Sequence, residues 1–92
     1  MDKCFFCGAT VGLDYHHIFG GSRRDKSTQY DLIVPLCHIG CHMYGRDSIH
    51  DGYTDLAHTR RVQLHQYGQI KAMAEQGWTT EDFIREFGRS YI

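Results

Sequence analysis

The 92-residue chain has no excess of either charge: ten Lys and Arg face eleven Asp and Glu, a net charge of −1 with its seven histidines neutral. It therefore lacks the bulk basicity of a protein that coats nucleic acid. That absence does not exclude an enzyme touching DNA over a small footprint. Long apolar runs are missing as well. No segment approaches the ~20 residues of a membrane span. The opening Met1-Asp2-Lys3-Cys4-Phe5-Phe6-Cys7 holds no apolar stretch of signal-peptide length. These absences predict a cytoplasmic protein with no membrane partner. Low-complexity stretches and repeats of solenoid length are also lacking, and the length suits a single domain, 1–92.

Against these absences stand four cysteines (Cys4, Cys7, Cys37, Cys41) and seven histidines, five of them between positions 16 and 50. A chain this short buries roughly 60–65% of its unfolded surface, so its apolar core is a marginal source of stability. Domains near this size often add a metal or disulfide staple. In a reducing compartment, clustered cysteines more often bind metal than pair with one another. Cys4-x2-Cys7 lets two thiolates chelate one ion from a single turn, and Cys37-x3-Cys41 supplies a second pair, one residue wider. The reading is a structural Zn2+ in a Cys4 site. In the second pair, Cys37, His38, Cys41 and His42 can all ligate. The two sulfurs are preferred, which leaves His42 free.

The chain divides near Asp51-Gly52 into a turn-rich half, 1–50, and a helical half, 51–92. Leu13 to Phe19 reads as a strand, with Leu13, Tyr15, His17 and Phe19 on one face and Asp14, His16 and Ile18 on the other. Gly20-Gly21-Ser22 ends it, and a polar loop with Arg23, Arg24 and Lys26 follows. Tyr30 to Leu36 reads as a second strand, with Pro35 marking an edge or an end. Cys37 to Tyr44 has room for a second knuckle and a short helix stopped by Gly45. Thr54 caps a helix reaching Gly77, and Thr79 with Asp82 forms an acidic capping box for another that ends at Gly88. Aromatic residues in these helices read as packing.

Four pieces in this order resemble the HNH nucleases: Cys4-x2-Cys7, Tyr15-His16-His17-Ile18, Asp31-Leu32-Ile33-Val34-Pro35-Leu36-Cys37, and Cys41-His42. Together they span about residues 4 to 50. His16-His17-Ile18-Phe19-Gly20-Gly21, Ser48-Ile49-His50 and the tail from Phe83 to Tyr91 resemble, more finely, small HNH proteins of bacteriophages and prophages.

This resemblance implies an α+β fold with a ββα-metal core and a C-terminal helical extension. It also implies hydrolysis of DNA phosphodiester bonds, by nicking or cleavage. His17 would be the general base. His16 and His42 would hold the catalytic divalent metal, Mg2+ or another such as Mn2+ or Ni2+. His50 would either join that metal or brace the helix. Asp31 stands where the family carries Asn; it can accept hydrogen bonds as Asn does but cannot donate as the amide does. Ser22, Arg23 and Arg24 are candidate phosphate contacts, and Arg46, Arg60 and Arg61 could extend them. His38, His58 and His65 read as surface or structural residues. A lone site cuts one strand at a time, so a double-strand break would need a homodimer or two encounters. The phage resemblance implies a role in packaging, recombination or replication beside a terminase-like partner, inside a bacterial host. The competing expectation is a non-catalytic zinc-binding module that uses the same fold to bind DNA or protein.

Overall fold

A computed structural model describes residues 2–92: a small α+β fold with a two-stranded sheet and three helices. In chain order these are β1 (Leu13–His17), a 3-10 turn (Gly21–Arg23), α1 (Arg24–Gln29), β2 (Ile33–Cys37), α2 (Asp55–Gln76) and α3 (Thr80–Phe87). Contacts group the chain into two compact units. One combines the chain up to His16 with Ile33–Arg61; the other combines His17–Leu32 with Val62–Ile92. No helix among the described residues is long and apolar enough to cross a membrane.

In the first unit the strands run antiparallel. His38 N–H donates to Gly12 O at 2.8 Å, a register that sets Asp14 across from Leu36 and His16 across from Val34. Val34 and Leu36 are buried, so Asp14 and His16 leave the sheet on the side where it is packed. Pro35 points away from β1, where its missing N–H costs the ladder nothing. Its carbonyl there accepts from Phe5 N–H at 2.9 Å, which ties the first cysteine turn to the sheet.

The expected short helix after Cys37 is absent. Residues 38–51 form turns with one isolated bridge, Ile39 to Tyr44. Gly40 and Gly45, both at φ 104, reverse the chain there. Ile49 N–H donates to Cys41 O at 2.8 Å and His50 N–H to His42 O at 3.0 Å. Thr54 then caps α2 as expected, its hydroxyl accepting from Ala57 N–H at 3.2 Å.

In the second unit, β1 ends sooner than alternation suggests. Phe19 N–H donates to the buried Ser27 hydroxyl at 3.0 Å, and that hydroxyl donates to Phe19 O at 2.8 Å. A side chain of α1 has taken the place of a strand partner. Likewise β2 begins at Ile33 rather than Tyr30, because Asp31 turns the chain at φ 56, a left-handed conformation that Asp tolerates better than most residues. Where a polar loop was expected, Arg24–Gln29 is helical; only Ser27 in it is buried, so no apolar period marks it. Phe19 is the centre of an aromatic core, its ring 4.7 Å from Phe87 and stacked on His65 at 5.4 Å. Helix α3 carries the predicted capping box between Thr79 and Asp82 and ends on Gly88 at φ 89.

Candidate functional site

Among the described residues, three groups of side chains that could hold a metal ion lie in the first unit, two of them sharing His42. Cys4, Cys7, Cys37 and Cys41 bring their sulfurs within 4.8 Å of one another and could hold a metal ion. Their turns explain the convergence. Gly8 N–H donates back to Cys4 O at 3.0 Å, and His42 N–H to Cys37 O at 3.0 Å, so each pair closes its own knuckle. All four are free thiols, with Cys4 and Cys41 only 3% and 5% exposed.

The protonation of these thiols is set by their surroundings. Burial pushes Cys4 up, but the backbone N–H groups of Cys7, Cys37 and Phe6, with the Cys7 thiol, outweigh it and bring Cys4 down to about 6. Burial pushes Cys37 up. Burial, reinforced by Cys37 and Cys4, pushes Cys41 far up. A cation is the partner that would let all four ionise together. Arg60 lends partial compensation from α2. Its guanidinium lies 3.9 Å from Cys41 Sγ and 5.0 Å from the Phe6 ring centre, and it donates to Asp47 O at 3.1 Å.

His16, His42 and His50 form the second group, each offering a nitrogen within 4.8 Å of the others. The rings meet edge-on, with centres 5.2 Å apart for His16–His42, 5.3 Å for His16–His50 and 4.7 Å for His42–His50. Strand β1 supplies His16, and the turns after β2 supply the other two. Their backbone bond brings His42 and His50 side by side. Ser48, fully buried, donates to Gly45 O at 2.9 Å and accepts from Asp51 N–H at 3.1 Å. Arg61 donates to Ile49 O at 3.1 Å and Gly52 O at 3.3 Å. Burial, then the neighbouring His42, holds His50 below the usual imidazole range, so its ring nitrogen is available as a neutral ligand.

Two residues outside the predicted set join this group. Asp14 Oδ2 accepts from His42 Nδ1 at 2.8 Å and from His38 Nδ1 at 2.6 Å. His42 and then His38 hold the Asp14 carboxyl below its usual range. Asp14 was legible in principle, since it precedes His16 by two on the same strand face. His38, which reads from sequence as a surface residue or an alternative ligand beside Cys37, carried no signal pointing to Asp14.

His17 is held in the second unit. Its Nε2 lies 3.0 Å from the Thr28 hydroxyl of α1. That hydroxyl also lies 3.4 Å from Arg24 O, and it can donate to or accept from the ring according to the tautomer of His17. Burial, then the Arg24 charge, keeps His17 below the usual imidazole range and so neutral near pH 7.

The remaining candidates separate. Asp31 is exposed in the turn before β2, with Lys71 Nζ 2.9 Å from its carbonyl and 3.7 Å from its carboxylate. Ser22 and Arg24 are exposed. Arg23 lies against Gly88, where an added Cβ would sit 2.8 Å from its Nη2. Lys26 pairs with Glu86 at 2.8 Å. Arg60 and Arg61, expected as surface cations, instead turn inward to the carbonyls of the 47–52 loop. Arg46 stays exposed. Comparison with protein-family models, curated proteins and solved structures finds no match to this chain.

Proposed function

We propose that the chain is a divalent-metal-dependent DNA endonuclease of the HNH type. The observation that carries this reading is the convergence of His16, His42 and His50 on one point, with His17 next along the same strand. A cation held by the three imidazoles would act as Lewis acid toward the scissile phosphate. By the resemblance to the family, His17 would take the proton of the attacking water. A P–O bond forms to that water as the bond to the leaving sugar oxygen breaks. Arg24, exposed and close enough to influence His17, steers the phosphate, and Ser22 adds a hydrogen bond; neither reads base sequence. Three nitrogen ligands suit ions such as Ni2+ or Zn2+ better than oxygen-seeking Mg2+ or Mn2+.

The four cysteines hold a structural Zn2+ in this reading. Sulfurs bonded to one zinc at 2.3 Å stand about 3.8 Å apart, and Cys7 and Cys37 place theirs at 3.7 Å. A disulfide would require about 2.05 Å. Reduced thiols fit a cytoplasmic setting, and the resemblance to phage HNH proteins adds packaging or recombination proteins as partners.

One observation favours a second reading. The Asp31 carboxylate is exposed and beside Lys71, so it is not bracing a catalytic loop, as suits a non-catalytic zinc-binding module that binds DNA or protein.

Incubating zinc-loaded protein with supercoiled plasmid and Mg2+, Mn2+ or Ni2+, beside His17→Ala, separates the two. The nuclease reading expects nicking by the parent alone, with about one zinc per chain in both proteins. Equal nicking by the variant removes His17 from its role. DNA binding without nicking under any metal favours the module.

A further inference from the structure

The Asp14 carboxylate is the polar group behind the His42 ring, and the metal reading gives it a task. We infer that Asp14 is a positioning residue for the imidazole cation site, fixing His42 so that its Nε2 faces the ion, with His38 as a second donor that steadies the carboxylate. This rests on the proposed cation site at His16, His42 and His50.

The argument starts from one oxygen. Asp14 Oδ2 accepts from His42 Nδ1 at 2.8 Å and from His38 Nδ1 at 2.6 Å. Both rings therefore carry a proton on Nδ1. For His42 the nitrogen left with a free lone pair is then Nε2, and His16 and His50 are the imidazoles grouped with this residue. A carboxylate that takes the second N–H of a ligating histidine fixes tautomer and ring orientation and raises the basicity of the ligating nitrogen.

The alternative, Asp14 as a metal ligand alongside His38 and His42, fits the distances less well. Donors bonded to one tetrahedral ion at 2.0–2.1 Å stand about 3.3–3.4 Å apart. The observed 2.6 and 2.8 Å are charge-assisted hydrogen-bond lengths. The two rings also differ in exposure, 13% for the His42 side chain and 46% for that of His38. Only His42 is sheltered enough for its orientation to depend on a partner rather than on water.

Two measurements on the zinc-loaded full chain test this without recourse to nuclease activity. The first is titration with Co2+, followed by calorimetry and visible absorption, for the parent, Asp14→Asn, Asp14→Glu, His38→Gln and His42→Ala. The second is long-range 1H–15N spectra of the same proteins without added Co2+, which report the His42 tautomer. The parent is expected to bind one Co2+ and to show the Nδ1–H form of His42. Asp14→Asn should bind roughly 10–100-fold more weakly and show mixed tautomers, with zinc content and far-UV dichroism unchanged. Asp14→Glu should recover part of the loss, His38→Gln should shift affinity only a few-fold, and His42→Ala should abolish binding.

If the parent binds no Co2+, the cation site itself fails and the nuclease reading with it. If the parent binds and Asp14→Asn binds equally with His42 unchanged, the positioning role alone is overturned. A second Co2+ in the parent that disappears in Asp14→Asn would also overturn it, by making Asp14 a ligand.

Discussion

Thr28 holds His17 by one edge of its ring, with the hydroxyl 3.0 Å from Nε2. The contact matters because Thr28 is itself fixed. It stands next to Ser27, whose hydroxyl is bonded both ways to the Phe19 backbone, so α1 is anchored two residues from the imidazole it steadies.

Thr28→Val removes the hydroxyl and keeps the shape. Plasmid nicking is expected to slow by about 3- to 30-fold, less than the roughly 10²–10⁴-fold supplied by a general base, while Thr28→Ser restores most of it. Nicking by Thr28→Val at the parental rate would show that the hydroxyl does not orient His17.

Gly52 allows no side chain. A Cβ there would lie 2.2 Å from Ser48 O and 2.6 Å from the Ala57 methyl. Gly52→Ala must push the 48–52 turn off α2, at a cost of about 1–3 kcal/mol, and His50 should move with that turn. Urea unfolding measures the first effect and Co2+ affinity the second. Unchanged values in both would refute the close packing of this turn.

Stability should fall with acid in part through His65. Burial first, then the Arg89 charge, holds its imidazole below the usual value of 6.5, against a small opposing contribution from the Ile18 backbone. A base with a lowered folded pKa takes up its proton more readily when unfolded. His65 thus contributes stability that is complete above about pH 6.5 and is lost as pH falls through the folded value. The melting temperature of the parent should drop more steeply between pH 7 and 5 than that of His65→Gln. Parallel profiles would exclude His65 as the source.

Chelation should unfold the first unit. Withdrawing an ion from the four thiols leaves a small sheet and a long run of turns with little apolar core. A strong chelator is expected to release about one zinc per chain and to lower the melting temperature sharply, and Cys41→Ser should reproduce both effects. A chain that keeps its melting temperature after losing the metal would contradict the structural role.

The reading of the sequence was most successful where one residue type has one physical use. Paired cysteines two and three residues apart meet because a knuckle permits little else. Thr79 and Asp82 cap α3 because their spacing is local, and β alternation placed Asp14 and His16 on one face before any coordinates. Failures came where tertiary bonds override local pattern. Ser27 ended β1 early by replacing a strand partner. Helix α1 was invisible because its one buried residue, Ser27, is polar. Arg60 and Arg61 read as surface cations, yet the turn before α2 leaves carbonyls that only a long donor can reach. His38 could not be found from spacing, since its partner Asp14 lies 24 residues away.

Cys37 is followed directly by His38, and Cys41 by His42. One peptide unit therefore separates each sulfur of the second knuckle from an imidazole of the neighbouring group. Whatever loosens the thiol cage, whether an oxidant, a competing chelator or acid, slackens the histidines in the same movement. If the sulfurs and the imidazoles hold ions as proposed, the cage is the foundation of the second site as well as a staple, and damage to the sulfurs should be felt first as lost cation affinity, before the chain unfolds.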